Sequence, residues 1–296
     1  MKRRAFFPLI PLLLAPVWAA AAPRDRFSHG VLWRIHYRDR PPSHLFGTIH
    51  VADPRLAALP APVAQAFASA RSLTLEFTAD RFAREHFLQA ALLPDPQTLE
   101  DAIGARDFER VVERLAPLGL SRAFIRKLKP WGALINLRNP RGATPGAWPT
   151  LDEQLLGGAR ARRLPLYTME SVGEQIFTFD EFPMASQVAL LRDALEHEAE
   201  LIEMAERTLE AYLARDLDGI WRIQADFVRR HPQIAPHNAV FVKRVIYDRS
   251  VVMAYRMQRQ LRQGKAFVAL GALHLHGPKG VLHLLEQDGF RVERVY

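Results

Sequence analysis

The chain has 296 residues, 49% of them hydrophobic and 24% charged, and its 40 Lys and Arg against 32 Asp and Glu give a net charge of +8. This composition excludes a largely disordered chain, and the length suits one large domain or two small ones. There is no cysteine, so disulfides, thiolate catalysis, Cys-based zinc sites and a lipid-anchored Cys are excluded.

Residues 1–22 read as a secretory signal peptide. Lys2, Arg3 and Arg4 form a basic start, residues 5–18 an apolar run, and Ala19, Ala20, Ala21 and Ala22 a small-residue cleavage region. The apolar run is short for a membrane span, so an uncleaved anchor is the less favoured alternative. Cleavage after Ala19 or Ala21 fits equally well. Removing the three basic residues lowers the net charge from +8 to +5. The arginines of the remaining domain are scattered, which argues against a nucleic-acid partner. The expected product is a periplasmic domain of residues 23–296, with no membrane attachment once the signal is gone. No later stretch reads as a transmembrane helix.

Along that domain, residues 31–37 and 43–49 alternate as two strands joined by the turn chemistry of residues 39–42. A short helix follows, with Val63, Ala66, Phe67 and Ala70 at helical spacing, and residues 72–77 return as a strand. Residues 81–138 are helical, with Phe108, Val111, Val112 and Leu115 as an apolar face and Thr98 with Asp101 resembling a capping box. A Gly, Pro and Ala-rich loop at 138–149 holds Trp148. Residues 151–162 are predicted helical and 164–168 a strand. Helical periodicity then covers 184–212, 216–230 and 241–263. Residues 266–272 form a strongly apolar strand, Pro278 opens a helix to 287, and 290–296 is the last strand. Strands at both ends with helices between predict an α/β or α+β fold: a mixed β-sheet completed by N- and C-terminal strands, with a large helical insertion.

P-loop, dinucleotide-binding and Gly-x-Ser-x-Gly motifs are absent. His197-Glu198-Ala199-Glu200-Leu201 begins like a zincin motif, but Leu201 replaces the second His, so it reads as the polar face of a helix. Two segments form a pair. Gly47-Thr48-Ile49-His50 ends the second strand, and Gly271-Ala272-Leu273-His274 ends the late apolar strand. Each puts a His at the carboxyl end of a strand, the edge where open α/β sheets bind ligands. From spacing alone, ordinary packing histidines are the favoured reading over ligands. Glu76 ends another apolar strand, where a buried carboxylate is costly unless paired or metal-bound. Glu170 repeats that arrangement after residues 164–168. Imidazole with carboxylate and no thiolate suits Zn, Mn, Fe or Co. His276 and His44 read as surface or supporting residues.

These residues carry a family likeness. Leu45-Phe46-Gly47-Thr48-Ile49-His50 resembles the N-terminal signature of the TraB/GumN family, which includes the Tiki proteases. The Glu76 strand, Lys129-Pro130-Trp131, residues 151–155, Thr168-Met169-Glu170 with Gln175, Arg249, and the second Gly-x-x-His with its trailing Gly277-Pro278-Lys279-Gly280 follow in the family's order. Ser250 stands where the family usually has Asn, and His276 where an apolar residue is more usual. The resemblance covers roughly residues 28–296. It implies a ChaN-like or Tiki-like fold and a divalent-metal site built from His50, Glu76 and His274, with Glu170 and Arg249 as further polar positions of the pocket.

Two functions follow as expectations. One is a metal-dependent hydrolase, acting on a peptide, in which a divalent ion (Mn, Co, Fe or Zn) activates water. Glu76 is then ligand or general base, Glu170 the other candidate base, and Arg249 a partner for the oxyanion or for a substrate carboxylate. The other is a module that binds a peptide or small ligand under the helices of residues 184–263 without cutting it. The sequence does not specify an oligomeric state.

Overall fold

The computed structural model describes residues 25–78, 81–137, 149–277 and 279–296. The expected signal peptide, Trp148 with most of its loop, and Pro278 lie outside them. The chain opens with a hairpin of β1 (Leu32–His36) and β2 (Ser43–Thr48), in which Leu32 faces Phe46 and Ile35 faces Ser43. After α1 (Ala61–Ala68) comes β3 (Ser72–Leu75). Helices α2 (Arg81–Ala90), α3 (Leu99–Ile103), α4 (Ala105–Leu115), α5 (Arg122–Lys127), α6 (Pro130–Leu137) and α7 (Leu151–Ala161) follow. Then come β4 (Leu166–Thr168), α8 (Val172–Asp180), α9 (Met184–Glu196), α10 (Glu198–Leu213), α11 (Leu217–Arg230) and α12 (Ala235–Phe241). A π-helix (Val242–Asp248) runs directly into α13 (Arg249–Gln263). β5 (Ala266–Gly271), α14 (Val281–Gln287) and β6 (Arg291–Arg294) close the chain.

The six strands form one mixed sheet in the order β4-β3-β5-β2-β1-β6. β5 slots between β2 and β3 and runs parallel to both, with Phe267 beside His44 and Leu73. β4 is parallel to β3, and β1 is antiparallel to both β2 and β6. The sheet is thus completed from both chain ends, as expected. Every residue of β5 is buried, which explains its unbroken apolar sequence; a central parallel strand is covered on both faces. The topology also aligns four carboxyl ends, Thr48, Leu75, Thr168 and Gly271, along one edge of the sheet.

Two apolar clusters support this frame. The larger gathers the sheet with α1, α7, α13 and α14. The second packs α3 to α6 against α9, with Phe108, Val111 and Leu115 buried and Val112 at its margin. Several boundaries differ from the sequence reading. The helical run 184–212 breaks at His197, which caps α10 in a non-helical conformation (φ −110°, ψ 31°). The run 241–263 contains the π-helix. The helix expected from Pro278 begins at Val281. Thr98 accepts from the Asp101 N–H as a cap, but the Asp101 carboxylate takes the Thr98 hydroxyl proton.

Candidate functional site

The loops leaving the four aligned strand ends carry His50, Glu76, Glu170 and His274. The two motif glycines serve this arrangement differently. A Cβ on Gly47 would fall 2.5 Å from Leu275 Cδ1 and 3.2 Å from Ala272 Cα, so the first glycine admits the loop that carries His274. A Cβ on Gly271 would lie 3.2 Å from Glu76 Oε1, 3.5 Å from His274 Cδ2 and 3.5 Å from His50 Nε2. The second glycine therefore leaves open the space that three candidate residues share.

Glu76 and Glu170 are both buried and both held by Arg249. Arg249 Nη2 donates to Glu76 Oε2 at 2.7 Å and to Glu170 Oε2 at 2.6 Å, while Nε donates to Glu170 Oε1 at 2.8 Å. Its Nη1 donates to the Val245 carbonyl at 3.2 Å, within the π-helix. That helix places the arginine at the first position of α13, and π-type turns recur where a side chain must be re-aimed toward a site. Burial opposes the arginine's charge, yet Glu170 and Glu76 hold it protonated. Burial likewise opposes ionisation of Glu76. His274, Arg249 and His50, with the Gly271 N–H that donates to Oε1, outweigh it and hold the carboxyl at about 2. Gln175 Nε2 donates to Glu170 Oε2 at 3.2 Å.

The histidines are held from behind. Ser250 Oγ donates its one proton to the Ile246 carbonyl at 2.7 Å. It must therefore accept from His274 Nδ1, 3.0 Å away, which fixes the tautomer and leaves Nε2 with a free lone pair. Burial depresses His274 to about 4, so it is neutral at pH 7. Its Nε2 lies 3.9 Å from Glu76 Oε1. His50 Nδ1 is 3.0 Å from Asp152 Oδ2, and Thr48 Oγ1 donates to Asp152 Oδ1 at 3.1 Å. The surrounding protein strips some hydration from His50. The hydrogen bond and charge of Asp152, with the charge of Glu76, overcome this and raise it to about 9. His274 is 5% exposed and His50 60%, so the site opens to solvent over His50.

Other expected positions fall differently. Ser250, the departure from the family pattern, touches His274 and not Arg249. His276 does not extend the cluster: the strand ends at Gly271, a tight turn (Ala272–His274) follows, and the ring turns to Asp25 at 3.0 Å and Asp218 at 3.5 Å. His44 sits at the other end of β2, near Arg34 and His36. His197 is at the α9–α10 junction, its ring 3.8 Å from that of His231. Lys129 and Trp131 both donate to Asp180 and anchor α6 on α8. Two contributors were not read from sequence as site residues. Asp152 hid inside the capping box of Thr150 and Glu153, which already explains acidic residues there. Tyr212 donates to the Gly47 carbonyl at 2.7 Å, and a buried helical tyrosine gives no signal of that.

Three carboxylates (Glu76, Glu170, Asp152) meet the Arg249 guanidinium and a His50 imidazole that is cationic at pH 7, an excess of one negative charge that becomes two when His50 gives up its proton to bind an ion. As placed, no three His, Asp or Glu side chains among the described residues form a group arranged to hold a metal. The donor chemistry nevertheless fits a divalent ion. His50 Nε2, Glu76 Oε1 and the edge of the His274 ring border one space, His274 Nε2 stands 3.9 Å from Glu76 Oε1, each histidine is oriented through its other nitrogen, and the net charge is negative.

Comparison with known proteins agrees with the likeness read from the motifs. The TraB/PrgY/gumN family model matches residues 31–294. The chain belongs to this family. Among curated proteins, Metalloprotease TIKI2 of Xenopus tropicalis is 25% identical over an alignment of 313 residues, which covers 88% of this chain and 59% of that protein. The chain thus spans about three-fifths of that relative's length. No solved structure gave a significant match.

Proposed function

We propose that this chain is an exported, divalent-metal-dependent hydrolase of peptide bonds, working in the periplasm. The observation that carries the reading is the space beside Gly271, bordered by His50 Nε2, Glu76 Oε1 and the His274 ring. Family membership and the TIKI2 metalloprotease relative support the class of reaction. Export rests on the pattern of residues 1–22.

His50, His274 and Glu76 would hold the ion, with Mn, Co, Fe and Zn all compatible with these donors. Such an ion lowers the pKa of water and polarises a carbonyl. The chain's own groups do the rest. Asp152 aims His50 and Ser250 aims His274, each through Nδ1, which leaves the Nε2 of each ring for the ion. Arg249 helps keep Glu76 ionised at neutral pH and spends most of its N–H groups on Glu76 and Glu170. Its support for an oxyanion is limited to what its remaining Nη1 hydrogen reaches. Glu170 has both oxygens engaged by Arg249 and Gln175. Glu76 Oε1 is the carboxylate oxygen turned to the shared space, and it serves either as ligand or as acceptor of the attacking water's proton. The Glu76→Gln variant separates these roles: a ligand role predicts loss of metal, a base role predicts retained metal without turnover.

The test is mass spectrometry of a peptide library after incubation with chelated and metal-reloaded protein. The reading predicts cleavage that requires reloading and disappears in His50→Ala. Peptide bound but recovered intact under every metal would instead support the sequestering module. Cleavage that survives His50→Ala would refute the assignment of the site.

A further inference from the structure

The two edges of the sheet meet solvent differently. At one edge β6 reads Arg291-Val292-Glu293-Arg294, with Val292 buried and the three charged residues exposed. Exposed charges of this kind discourage another strand from pairing there. At the other edge β4 reads Leu166-Tyr167-Thr168 and carries no charge. All three of its residues are exposed, Leu166 at 39% and Tyr167 at 38%. An uncharged strand left open in this way is a template for an extended chain.

The pairing with β3 decides which backbone groups β4 offers. The Leu73 N–H donates to the Pro165 carbonyl at 3.0 Å, and the Met169 N–H to the Leu75 carbonyl at 2.9 Å. Along a strand, the N–H and C=O of successive residues point to opposite edges. Residues 165, 167 and 169 therefore bond to β3, and Leu166 and Thr168 turn their N–H and C=O outward. Among the described residues, no strand pairs with β4 on that side.

The strand leads into the candidate site. Glu170, held by Arg249, follows Thr168 by two residues. A hollow of about 210 Å³ joins the two, with Thr168 and Glu170 both in its lining, beside Phe77, Phe82 and Val172. A chain added beside β4 would lie three strand spacings from β5, about 14 Å given about 4.7–4.9 Å per step. Extended backbone crosses that distance in about four residues.

We infer that the free edge of β4 is a docking strand for the peptide substrate, which pairs through its backbone with Leu166 and Thr168 and reaches the space beside Gly271 about four residues further on. The inference rests on the hydrolase reading and names its substrate class: an extended, unfolded segment recognised by backbone rather than by one side chain. Two outward-facing residues offer too few hydrogen bonds to hold a permanent partner, which suits a substrate whose products must leave.

The test is amide hydrogen exchange by NMR on chelated protein, in which no turnover consumes the peptide. The probe is acetyl-Lys-Thr-Val-Thr-Val-Thr-Lys-amide at millimolar concentration, compared with its form N-methylated at each Thr and Val. The inference predicts that the unmodified peptide slows exchange of the Leu166 and Thr168 N–H groups by about tenfold or more and leaves Tyr167, which faces β3, unchanged. The N-methylated peptide cannot enter a ladder and should leave both groups unprotected. Leu166→Pro removes one outward N–H and none of the bonds to β3, and should weaken the peptide by about three- to tenfold with the fold intact. Unchanged exchange at Leu166 and Thr168, or equal protection by the N-methylated form, overturns the docking strand. So does protection that grows with protein concentration in the absence of peptide, which would mean that a second copy covers the edge. The two readings fail separately. Without hydrolase activity, the protection on chelated protein remains. Without the docking strand, turnover remains, but lengthening a short substrate by such a segment leaves KM unchanged. The inference predicts a lower KM at constant kcat, lost in Leu166→Pro.

Discussion

Replacing Gly271 with alanine adds one methyl group at the centre of the site and almost nothing else. Gly271 has φ −56° and ψ 133°, a conformation alanine adopts without strain. The new carbon would stand 3.2 Å from Glu76 Oε1 and 3.5 Å from both His274 Cδ2 and His50 Nε2. The first distance asks Glu76 to give by a few tenths of an ångström; the others are ordinary contacts. Gly→Ala at a compatible backbone position stabilises by about 0.4–1 kcal/mol through the unfolded chain, which offsets that contact. The melting temperature should therefore stay within about 4 °C of the parent, since about 1 kcal/mol moves it by roughly 2–4 °C at this size. Metal binding should respond quite differently. An ion bound at the usual ligand distances of about 2.0–2.2 Å competes with the methyl for the space the donors share. Affinity for Zn or Mn, measured by calorimetric titration, should fall at least tenfold, or about 1.4 kcal/mol. Unchanged metal affinity in Gly271→Ala, with the fold intact, would refute the placement of the ion in that space.

Further predictions follow from the groups around the site. Asp152→Asn keeps a hydrogen-bond acceptor for His50 but removes the charge behind it, so metal affinity should drop by about 10–100-fold with little change in melting temperature. Arg249→Met leaves Glu76 and Glu170 buried without their cation and should cost about 3–5 kcal/mol in chemical denaturation. A loss below about 1 kcal/mol would mean these carboxylates are not held as described. Away from the site, burial raises the pKa of Asp193 above 3.8, against the pull of His197 and His231. The folded state therefore binds that proton more tightly than the unfolded state. The contribution is fully present below pH 3.8 and is lost as the pH rises through the folded value. Asp193→Asn should raise the melting temperature at pH 7 and leave it unchanged near pH 3; the same shift at both pH values would reject the buried-charge explanation.

The sheet was legible because its strands carry their own signals. β5 is an unbroken apolar run, β1 and β2 flank a turn, and the paired Gly-x-x-His segments sit at strand ends, where a parallel sheet gathers them. Glu76 and Glu170 were legible for the same reason, as carboxylates directly after short strands. What the sequence concealed were relations between distant residues. Nothing local says that Asp152 reaches His50, because its position in the first turn of α7 already accounts for an acid there. The likeness to the family singled out Arg249 but not its grip on two carboxylates. The π-helix was invisible because its apolar positions stay close to a 3.6-residue period, while its wider turns are set by packing. The break at His197 was missed because histidine is no helix breaker and the charged turn after it reads as helix in its own right.

The central claim is that the two Gly-x-x-His motifs and Glu76 hold one divalent ion. Metal content by mass spectrometry tests it most directly, on protein stripped with chelator, reloaded with Mn, Co, Fe or Zn and desalted. The account predicts about one ion per chain in the parent and none in the His50→Ala/His274→Ala double variant. An equal metal content in both proteins, or none retained by the parent with any of the four ions, would contradict it.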